Sequence, residues 1–238
     1  MLMNASRTEK KRERSGRFFL PALQSAGTGP RPWLFLAVVL TGLACFAWAG
    51  ALPSIFEPGL PGWKEKEFAG RTVYTPLPQE KLLLAESGGT ASGLFFEQSV
   101  DVRATPWLNW SWRVENVLSG VNEREKTGDD YPARIYVVAK GGLAFWKTRA
   151  LSYVWASVLP EGSMWPNAFT ANARMIAVRG GKEGVGKMLS EKRNIREDWM
   201  RAFGEDIETI DAVAIMTDTD NSGQQARAWY GQPFFSAR

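Results

Sequence analysis

The chain has 238 residues, of which 45% are hydrophobic and 23% are charged, and its formal net charge is +4. It contains no histidine and a single cysteine, which excludes Ser-His-Asp and Cys-His catalysis, histidine and zinc-thiolate metal sites, and an intramolecular disulfide. Residues 1–32 hold seven basic and two acidic residues, so residues 33–238 carry a net charge of −1 and lack the positive charge typical of nucleic-acid binding.

The first predicted element is a transmembrane helix over residues 33–52. This segment, WLFLAVVLTGLACFAWAGAL, contains no charged residue. Twenty helical residues span ~30 Å, which is the usual thickness of the hydrocarbon core of a bilayer. Because a basic flank stays in the cytoplasm, we expect residues 1–32 to form a cytoplasmic tail. The pattern therefore predicts a single-pass signal anchor in the inner membrane, with the rest of the chain in the periplasm.

A cleaved signal peptide is the alternative interpretation of the same segment. Residues 47–49, Ala-Trp-Ala, have the small-x-small form of a cleavage site, so cleavage after Ala49 stays open. The basic region before the segment is longer than a usual signal-peptide n-region, and the apolar run exceeds the usual ~7 to 15 residues. These lengths favour an anchor that is retained.

A linker and one folded domain are predicted after the anchor. Residues 53–62, PSIFEPGLPG, are rich in Pro and Gly, which is typical of a semi-extended spacer. The remaining residues, 63–238, are enough for one domain with its own hydrophobic core.

Short apolar runs with a period of two predict that this domain is mainly β. The clearest run is 107–114, in which every second side chain is apolar. Further strands are predicted at residues 71–77, 81–86, 93–102, 133–139, 151–158, 174–179, 212–218 and 227–235. The predicted fold is a jelly-roll-like antiparallel β-sandwich with one or two short helices.

One of these helices is predicted by its end signals. Asn194 is a favourable N-cap residue, and Glu197, three residues later, completes the pattern of a capping box. Trp199 and Phe203 then fall on one helical face, and Gly204 is a typical stop signal.

Residues 181–187, GKEGVGK, match the first part of a phosphate-binding loop. Met188 stands where such a loop has the Ser or Thr hydroxyl that contacts magnesium, and no long helix is predicted to follow. We therefore interpret the segment as an ordinary hairpin loop.

Residues 218–223, DTDNSG, begin like a calcium-binding loop. Asp218, Asp220 and Ser222 place oxygen-bearing side chains at the first, third and fifth positions, but Trp229 occupies the twelfth, where a carboxylate is required. Two interpretations stay open. These three residues bind Ca²⁺ in a loop of the sandwich, or the segment is a tight turn stabilised by side chain to backbone hydrogen bonds.

Polar and aromatic side chains on the predicted strands are candidates for a glycan site. An aromatic ring packs against the apolar face of a sugar, while amide and guanidinium groups bind its hydroxyls. The outward-facing candidates are Asn109, Arg113, Arg134 and Tyr136, with either Tyr153 or Trp155 from a third strand. The alternative is that the two arginines form ion pairs with nearby acids and that the rings only pack.

The segment KTGDDYPAR at 126–134 is the most densely charged part of the domain and adds Lys126, Asp129 and Asp130 to the candidates. Because neighbouring residues of a strand point in opposite directions, Asp129 and Asp130 do not by themselves form a catalytic carboxylate pair.

Several motifs follow one another in a specific order: WSWRV at 110–114, KTGDDYPARIYV at 126–137, YVW at 153–155, RN at 193–194, IMTDTDNSG at 215–223 and YG at 230–231. In this order they resemble the bacterial domain-of-unknown-function family 3047, over approximately residues 61–235. The resemblance implies an exported or anchored protein whose jelly-roll sandwich is similar to galactose-binding and carbohydrate-binding modules. It carries no established activity.

Together these patterns predict a membrane-anchored, periplasmic domain that binds a glycan or another envelope component, without catalysis and with no cofactor apart from the calcium considered above. One alternative is an accessory subunit that docks on a membrane protein complex, which a large exposed apolar patch would favour. Another is a glycan-active enzyme that uses carboxylates such as Asp129, Asp130 or Asp218, which requires two carboxyl groups ~5 to 9 Å apart in one cleft.

Overall fold

The computed structural model describes residues 52–141 and 148–238, which contain strands, one nine-residue α-helix and a short 3₁₀ turn at Lys126–Gly128. The strands are β1 (Lys64–Ala69), β2 (Val73–Leu77), β3 (Leu82–Gly88), β4 (Ala91–Asp101), β5 (Trp107–Val114), β6 (Tyr131–Ala139), β7 (Arg149–Ala156), β8 (Met164–Pro166), β9 (Ala173–Gly180), β10 (Leu189–Asn194), β11 (Thr209–Asp218), β12 (Gln225–Tyr230) and β13 (Phe234–Ser236). The helix, α1, is Ile195–Phe203.

These strands form two sheets. The seven-stranded sheet has the order β1-β4-β11-β6-β7-β9-β8, and all its pairs are antiparallel except β7 with β9. The six-stranded sheet has the order β10-β5-β12-β3-β2, with β13 alongside the first half of β5. The predicted β-sandwich with antiparallel sheets and a short helix is therefore confirmed.

The core between the sheets is built on aromatic side chains of β5 and β7. Trp110 and Trp112 meet edge to face with 5.4 Å between ring centroids. Tyr153 lies 5.4 Å from Trp110, and Trp155 lies 6.1 Å from Trp112. Each buried ring removes about 150–250 Å² from water, which stabilises the fold by about 4–6 kcal/mol at 25 cal/mol per Å².

Buried carboxylates bind the polar atoms at the ends of this aromatic core. Glu191 on β10 accepts a hydrogen bond from the indole N–H of Trp112 at 3.0 Å and is paired with Arg179. Asp198 on α1 accepts the Tyr153 hydroxyl at 3.0 Å and is paired with Arg193. Both carboxylates face inward because the core supplies donors that need an acceptor.

Three strands were absent from the predictions, each for a local reason. β1, KEKEFA, is a largely exposed edge strand whose charges hide its alternation. β8 has three residues and ends in a proline, and β10 has a charged residue, Glu191, on its buried side. The predicted strand 227–235 divides into β12 and β13 between residues 230 and 234.

Helix α1 begins and ends where its signals predict. The Asn194 side-chain oxygen accepts the backbone N–H groups of Arg196 and Glu197 at 3.1 and 3.3 Å, and the Asn194 amide donates to the Glu197 carboxylate at 2.7 Å. Gly204 ends the helix at φ +74°, a left-handed conformation that favours glycine.

The segment that precedes β1 contributes to the core. Leu52, the last residue of the predicted anchor, and Ile55, in the predicted spacer, are both buried in it. The Gln232 side chain accepts the backbone N–H of Ile55 at 3.0 Å and donates to the carbonyl groups of Leu52 and Pro53 at 3.3 and 3.1 Å. The predicted cytoplasmic tail and the predicted anchor, apart from Leu52, lie outside the described residues. Within the described ranges no helix has the length and apolar character needed to cross a bilayer.

Replacing the cap residue of α1 tests the helix assignment. Asn194→Ala removes the acceptor for two backbone N–H groups, so we expect the free energy of unfolding to fall by about 1 kcal/mol, measured by urea denaturation. Asn194→Ser retains a side-chain acceptor at the cap and is expected to unfold like the wild type. Met200→Ala, an exposed change on the same helix, is the second control, and a loss as large as that of Asn194→Ala would contradict the capping role.

Candidate functional site

The predicted ligand-binding side chains separate onto the outer faces of two different sheets. Asn109 and Arg113 lie on the outer face of the six-stranded sheet, because β5 alternates them with core residues. Arg134 and Tyr136 lie on the seven-stranded sheet, opposite Val154 and Ser152 of β7. The sandwich therefore does not bring these four side chains into one site.

Trp155 belongs to the core and not to either outer face. Its side chain is fully buried, and its indole N–H donates to the carbonyl oxygen of Gly181 at 3.1 Å. The alternation of β7 directs it toward Trp112, so its ring packs between the sheets and offers no surface to a ligand.

The outer face of β5 is a continuous row of polar and aromatic side chains, which we call the β5 platform. From β5 it contains Trp107, Asn109, Ser111 and Arg113, and from the neighbouring strands Lys192, Trp229 and Phe234. Directly opposed residues of antiparallel strands point to the same side, so the flanking side chains face outward with those of β5. Six residue steps along β5 give the platform a length of about 20 Å.

A cation lies over an aromatic ring at each end of the platform. The Arg113 guanidinium is 3.8 Å from the centre of the Trp229 ring, and the Lys192 ammonium is 4.8 Å from the centre of the Trp107 ring. Neither cation is paired with an acid among the described residues. The Nε of Arg113 is also buried without a hydrogen-bond partner.

Arg227 lies on the same sheet face but, unlike Arg113 and Lys192, it is paired with acids. It lies on β12 two residues before Trp229, and it is paired with Glu86 and Glu115. Its charge is therefore balanced within the domain, whereas the charges of Arg113 and Lys192 are balanced only by solvent or by a ligand.

Sequence reasoning missed Lys192, Trp229 and Phe234. Lys192 lies on β10, which was not predicted, and the other two join the platform only through the register of β12 and β13 with β5. The alternation of 107–114 gave the platform residues of β5 itself, but no signal in the sequence indicates which strands flank it.

The second candidate region is an acidic cluster at one end of the seven-stranded sheet. It comprises Asp129 and Asp130 before β6, Asp218 and Asp220 at the end of β11, and Arg134 on β6. β6 and β11 are antiparallel neighbours, with Asp218 opposite Tyr131, so the start of one meets the end of the other. Asp129, Asp130 and Asp218 are buried and Asp220 is half-buried.

Backbone and amide groups hold the first two carboxylates in place. Asp130 accepts the backbone N–H of Asn221 at 3.2 Å and that of Ser222 at 2.6 Å. Asp129 accepts the Tyr131 hydroxyl at 3.1 Å and the Asn167 amide at 2.8 Å. The turn after β11 is thus attached to the segment before β6.

Arg134 and Asp218 form a buried ion pair with unsatisfied atoms. The guanidinium lies 5.2 Å from the ring centres of both Tyr131 and Tyr136 and donates through Nη2 to Oδ2 of Asp218. Nε and Nη1 of Arg134 and Oδ1 of Asp218 are buried without a hydrogen-bond partner. Each such atom costs about 1–3 kcal/mol.

Burial determines the protonation tendencies of the cluster. It raises the pKa of Asp218 well above its ordinary value, and the Arg134 guanidinium opposes that shift. Burial also raises the pKa of Asp129 and of Asp220. Burial therefore favours the neutral form of these three acids, while the Arg134 guanidinium favours their charged form.

The remaining predicted site residues lie beside the cluster. The Ser222 backbone N–H donates to Asp130, and its hydroxyl accepts the backbone N–H of Gln224 at 3.4 Å, while the carboxylates of Asp130, Asp218 and Asp220 lie together. Lys126 is exposed, with its ammonium 5.5 Å from the centre of the Phe169 ring.

The segment that resembles a phosphate-binding loop is a series of turns. Gly181, Gly184 and Gly186 all have positive φ, and the backbone N–H of Gly186 donates to the Val114 carbonyl at 2.9 Å. The segment connects β9 in one sheet to β10 in the other, and β10 rather than a helix follows it. It is therefore a connection between the two sheets, not the hairpin loop that the sequence predicted.

Residues 61–234 match the model of a family described as protein of unknown function (DUF3047). No curated protein matches the chain. A mutant of a family 29 carbohydrate-binding module aligns over 79% of this chain and 92% of its own at 9% identity, with a TM-score of 0.37. The xyloglucanase domain of NopAA from Sinorhizobium fredii aligns over 74% and 93% at 9% identity, with a TM-score of 0.43. A Cel12A cellulase derived from Rhodothermus marinus aligns over 69% and 96% at 10% identity, with a TM-score of 0.40.

The buried ion pair of the acidic cluster can be tested by removing one or both partners. Arg134→Met leaves the Asp218 carboxylate without a counter-charge, so we expect the free energy of unfolding to fall by about 3–5 kcal/mol. Replacing both, with Arg134→Met and Asp218→Leu together, is expected to recover most of that loss. Urea denaturation in the presence of a chelator measures both effects, and a double variant no more stable than the single one would contradict the pairing.

Proposed function

The chain belongs to the DUF3047 family of proteins of unknown function, and we propose that it is a non-catalytic binding domain that holds a glycan of the cell envelope along the β5 platform. The observation that carries the proposal is the pair of cation and aromatic contacts at the two ends of β5, Arg113 with Trp229 and Lys192 with Trp107. These cations have no acidic partner among the described residues, so their charges are available to a ligand.

Glycan chemistry fits the side chains of this surface. A sugar ring has an apolar face of C–H groups, which packs against an aromatic ring such as Phe234, whose side chain is 48% exposed. Hydroxyl groups hydrogen-bond with the serine and asparagine side chains at the centre of the platform. The length of about 20 Å fits an oligosaccharide chain better than a single sugar.

The charge of the platform favours an acidic glycan over a neutral one. Arg113 and Lys192 lie at opposite ends, so each can pair with a carboxylate or phosphate substituent of the same chain. A guanidinium stacked on an indole is partly desolvated, which strengthens its interaction with an anion.

A nucleic acid is a poorer candidate for the same surface. Residues 33–238 carry a net charge of −1, so the domain lacks the broad positive field that produces nucleic-acid affinity. Two isolated cations fit spaced anionic groups better than a continuous phosphate backbone.

The enzymatic alternative receives less support from the position of the acids. Asp130 and Asp218 are 0% and 1% exposed, and they bind backbone N–H groups and Arg134. A glycosidase needs its two carboxyl groups to face a cleft that admits the substrate.

The accessory-subunit alternative needs a contiguous apolar patch, whereas the exposed large apolar side chains lie on separate segments: Phe68, Val73, Val158, Phe169, Met188, Met200 and Phe234.

We place the domain in the periplasm, anchored by the apolar run up to residue 51, because Leu52 packs in the core of the domain. The charge-free run of twenty residues and the basic tail before it support this assignment. An anchored domain that binds envelope glycans has its ligand beside it, which raises the local concentration of both partners.

Binding variants test the platform directly. We expect Arg113→Ala and Trp229→Ala each to weaken binding to an acidic glycan at least about tenfold. Each variant removes one partner of the contact between the Arg113 guanidinium and the Trp229 ring. Full-length protein in detergent is screened on an array of neutral and acidic envelope glycans, and the affinity for the strongest ligand is then measured by calorimetry.

Arg227→Ala is the matched control, since Arg227 lies on the same sheet face but is paired with two acids. We expect it to bind like the wild type. Binding that is equal in all three variants, or confined to neutral glycans, would contradict the proposed use of the platform.

Fractionation tests the anchor. We expect the intact chain, including residues 1–52, in the membrane fraction after an alkaline wash, with residues beyond 62 digested by a protease added to the periplasmic side. The mass of the purified protein distinguishes retention from cleavage. A soluble fragment that begins at residue 50 would establish cleavage after Ala49 instead.

A further inference from the structure

We propose that Asp130, Asp218 and Asp220 form a binding site for one Ca²⁺ ion. The site lies at the end of β11 in the seven-stranded sheet, whereas the β5 platform lies on the six-stranded sheet. The proposal is therefore independent of the proposed function, and each can fail without the other.

The three carboxylates lie close enough together to bind one ion. One oxygen of each residue lies within 4.8 Å of those of the other two. This limit admits the ligand spacing of Ca²⁺, which binds oxygen at about 2.3–2.6 Å, and also that of Mg²⁺, at about 2.0–2.1 Å. Ca²⁺ is favoured because it takes several carboxylate oxygens in a flexible geometry, whereas Mg²⁺ demands a near-ideal octahedron and usually keeps several waters.

A second observation indicates that the site takes a ligand. Asp218 is 1% exposed, and one of its oxygens is paired with Arg134, but Oδ1 has no hydrogen-bond partner. A buried carboxylate oxygen without a donor is costly, and most such atoms in folded proteins are satisfied. A bound cation supplies the missing partner.

The charge balance of the cluster supports the same conclusion. Four aspartates, Asp129, Asp130, Asp218 and Asp220, surround a single guanidinium, that of Arg134. When all are ionised the cluster has a formal charge of −3, and a divalent cation reduces this to −1. Carboxylate oxygens are the ligands that Ca²⁺ prefers.

The surrounding groups give the site an oriented ligand and a route of entry. The backbone N–H groups of Asn221 and Ser222 fix the Asp130 carboxylate. Asp220 is only half-buried, so an ion can reach the site from solvent on its side. Water completes the six to eight ligands that Ca²⁺ requires.

Binding at this place joins distant parts of the chain. Asp130 precedes β6, while Asp218 and Asp220 flank the end of β11. An ion held by all three ties the start of one strand to the turn that follows its neighbour, so it stabilises the folded state and not the unfolded chain.

Calorimetry and thermal unfolding of the full-length protein test the proposal. The protein is purified in detergent, stripped with EDTA and titrated with CaCl₂. We expect one ion to bind per chain, and the Tm to rise by at least about 5 °C when free Ca²⁺ exceeds Kd a hundredfold. Asp220→Asn keeps the shape of the side chain and makes no change to an ion pair, so it is expected to fold and to bind Ca²⁺ at least about tenfold more weakly.

Glu80→Gln, a change at an exposed carboxylate between β2 and β3, is the control and is expected to bind Ca²⁺ like the wild type. Titration with MgCl₂ is expected to give weaker binding than CaCl₂. The proposal is overturned by an unchanged Tm and no heat of binding at millimolar Ca²⁺, by equal affinity in Asp220→Asn and the wild type, or by tighter binding of Mg²⁺ than of Ca²⁺.

Discussion

The fold depends on hydrogen bonds between an aromatic core and two buried carboxylates. Trp112 and Tyr153 supply much of the apolar area between the sheets, but each has a polar atom that burial would leave unsatisfied. Glu191 and Asp198 accept those atoms, and arginines balance their charges. This requirement fixes the position of β10 and of α1, because the two carboxylates must lie at the ends of the core.

The outer face of the six-stranded sheet follows from this arrangement. Once Trp110 and Trp112 point inward, the alternation of β5 directs Asn109 and Arg113 outward, which creates the platform. Glu191 faces inward on β10, so its neighbour Lys192 faces outward and reaches Trp107. The residues that bind a ligand in our proposal are thus oriented by the residues that stabilise the core.

Periodicity predicted most of the fold because half-buried strands alternate regularly. It gave β5 with its correct bounds and predicted α1 from Asn194 and Gly204. It could not give the register between strands, and register decides that Arg113 meets Trp229 and that Arg134 lies on the other sheet. In the sequence, Asp129 and Asp130 belong to one turn, and Asp218 and Asp220 belong to another. Only the pairing of β6 with β11 brings the two turns together.

The hydrogen bonds of the Gln232 side chain bring the two ends of the folded domain together. This side chain binds the backbone near residue 52 from the turn between β12 and β13, so the segment before β1 and the last described strands are neighbours. The polypeptide from residue 52 to residue 232 is therefore nearly a closed ring. Circular permutation is commonly tolerated in domains whose ends lie this close, and it would move the chain ends without changing which strands pair. The contacts across the core determine the fold.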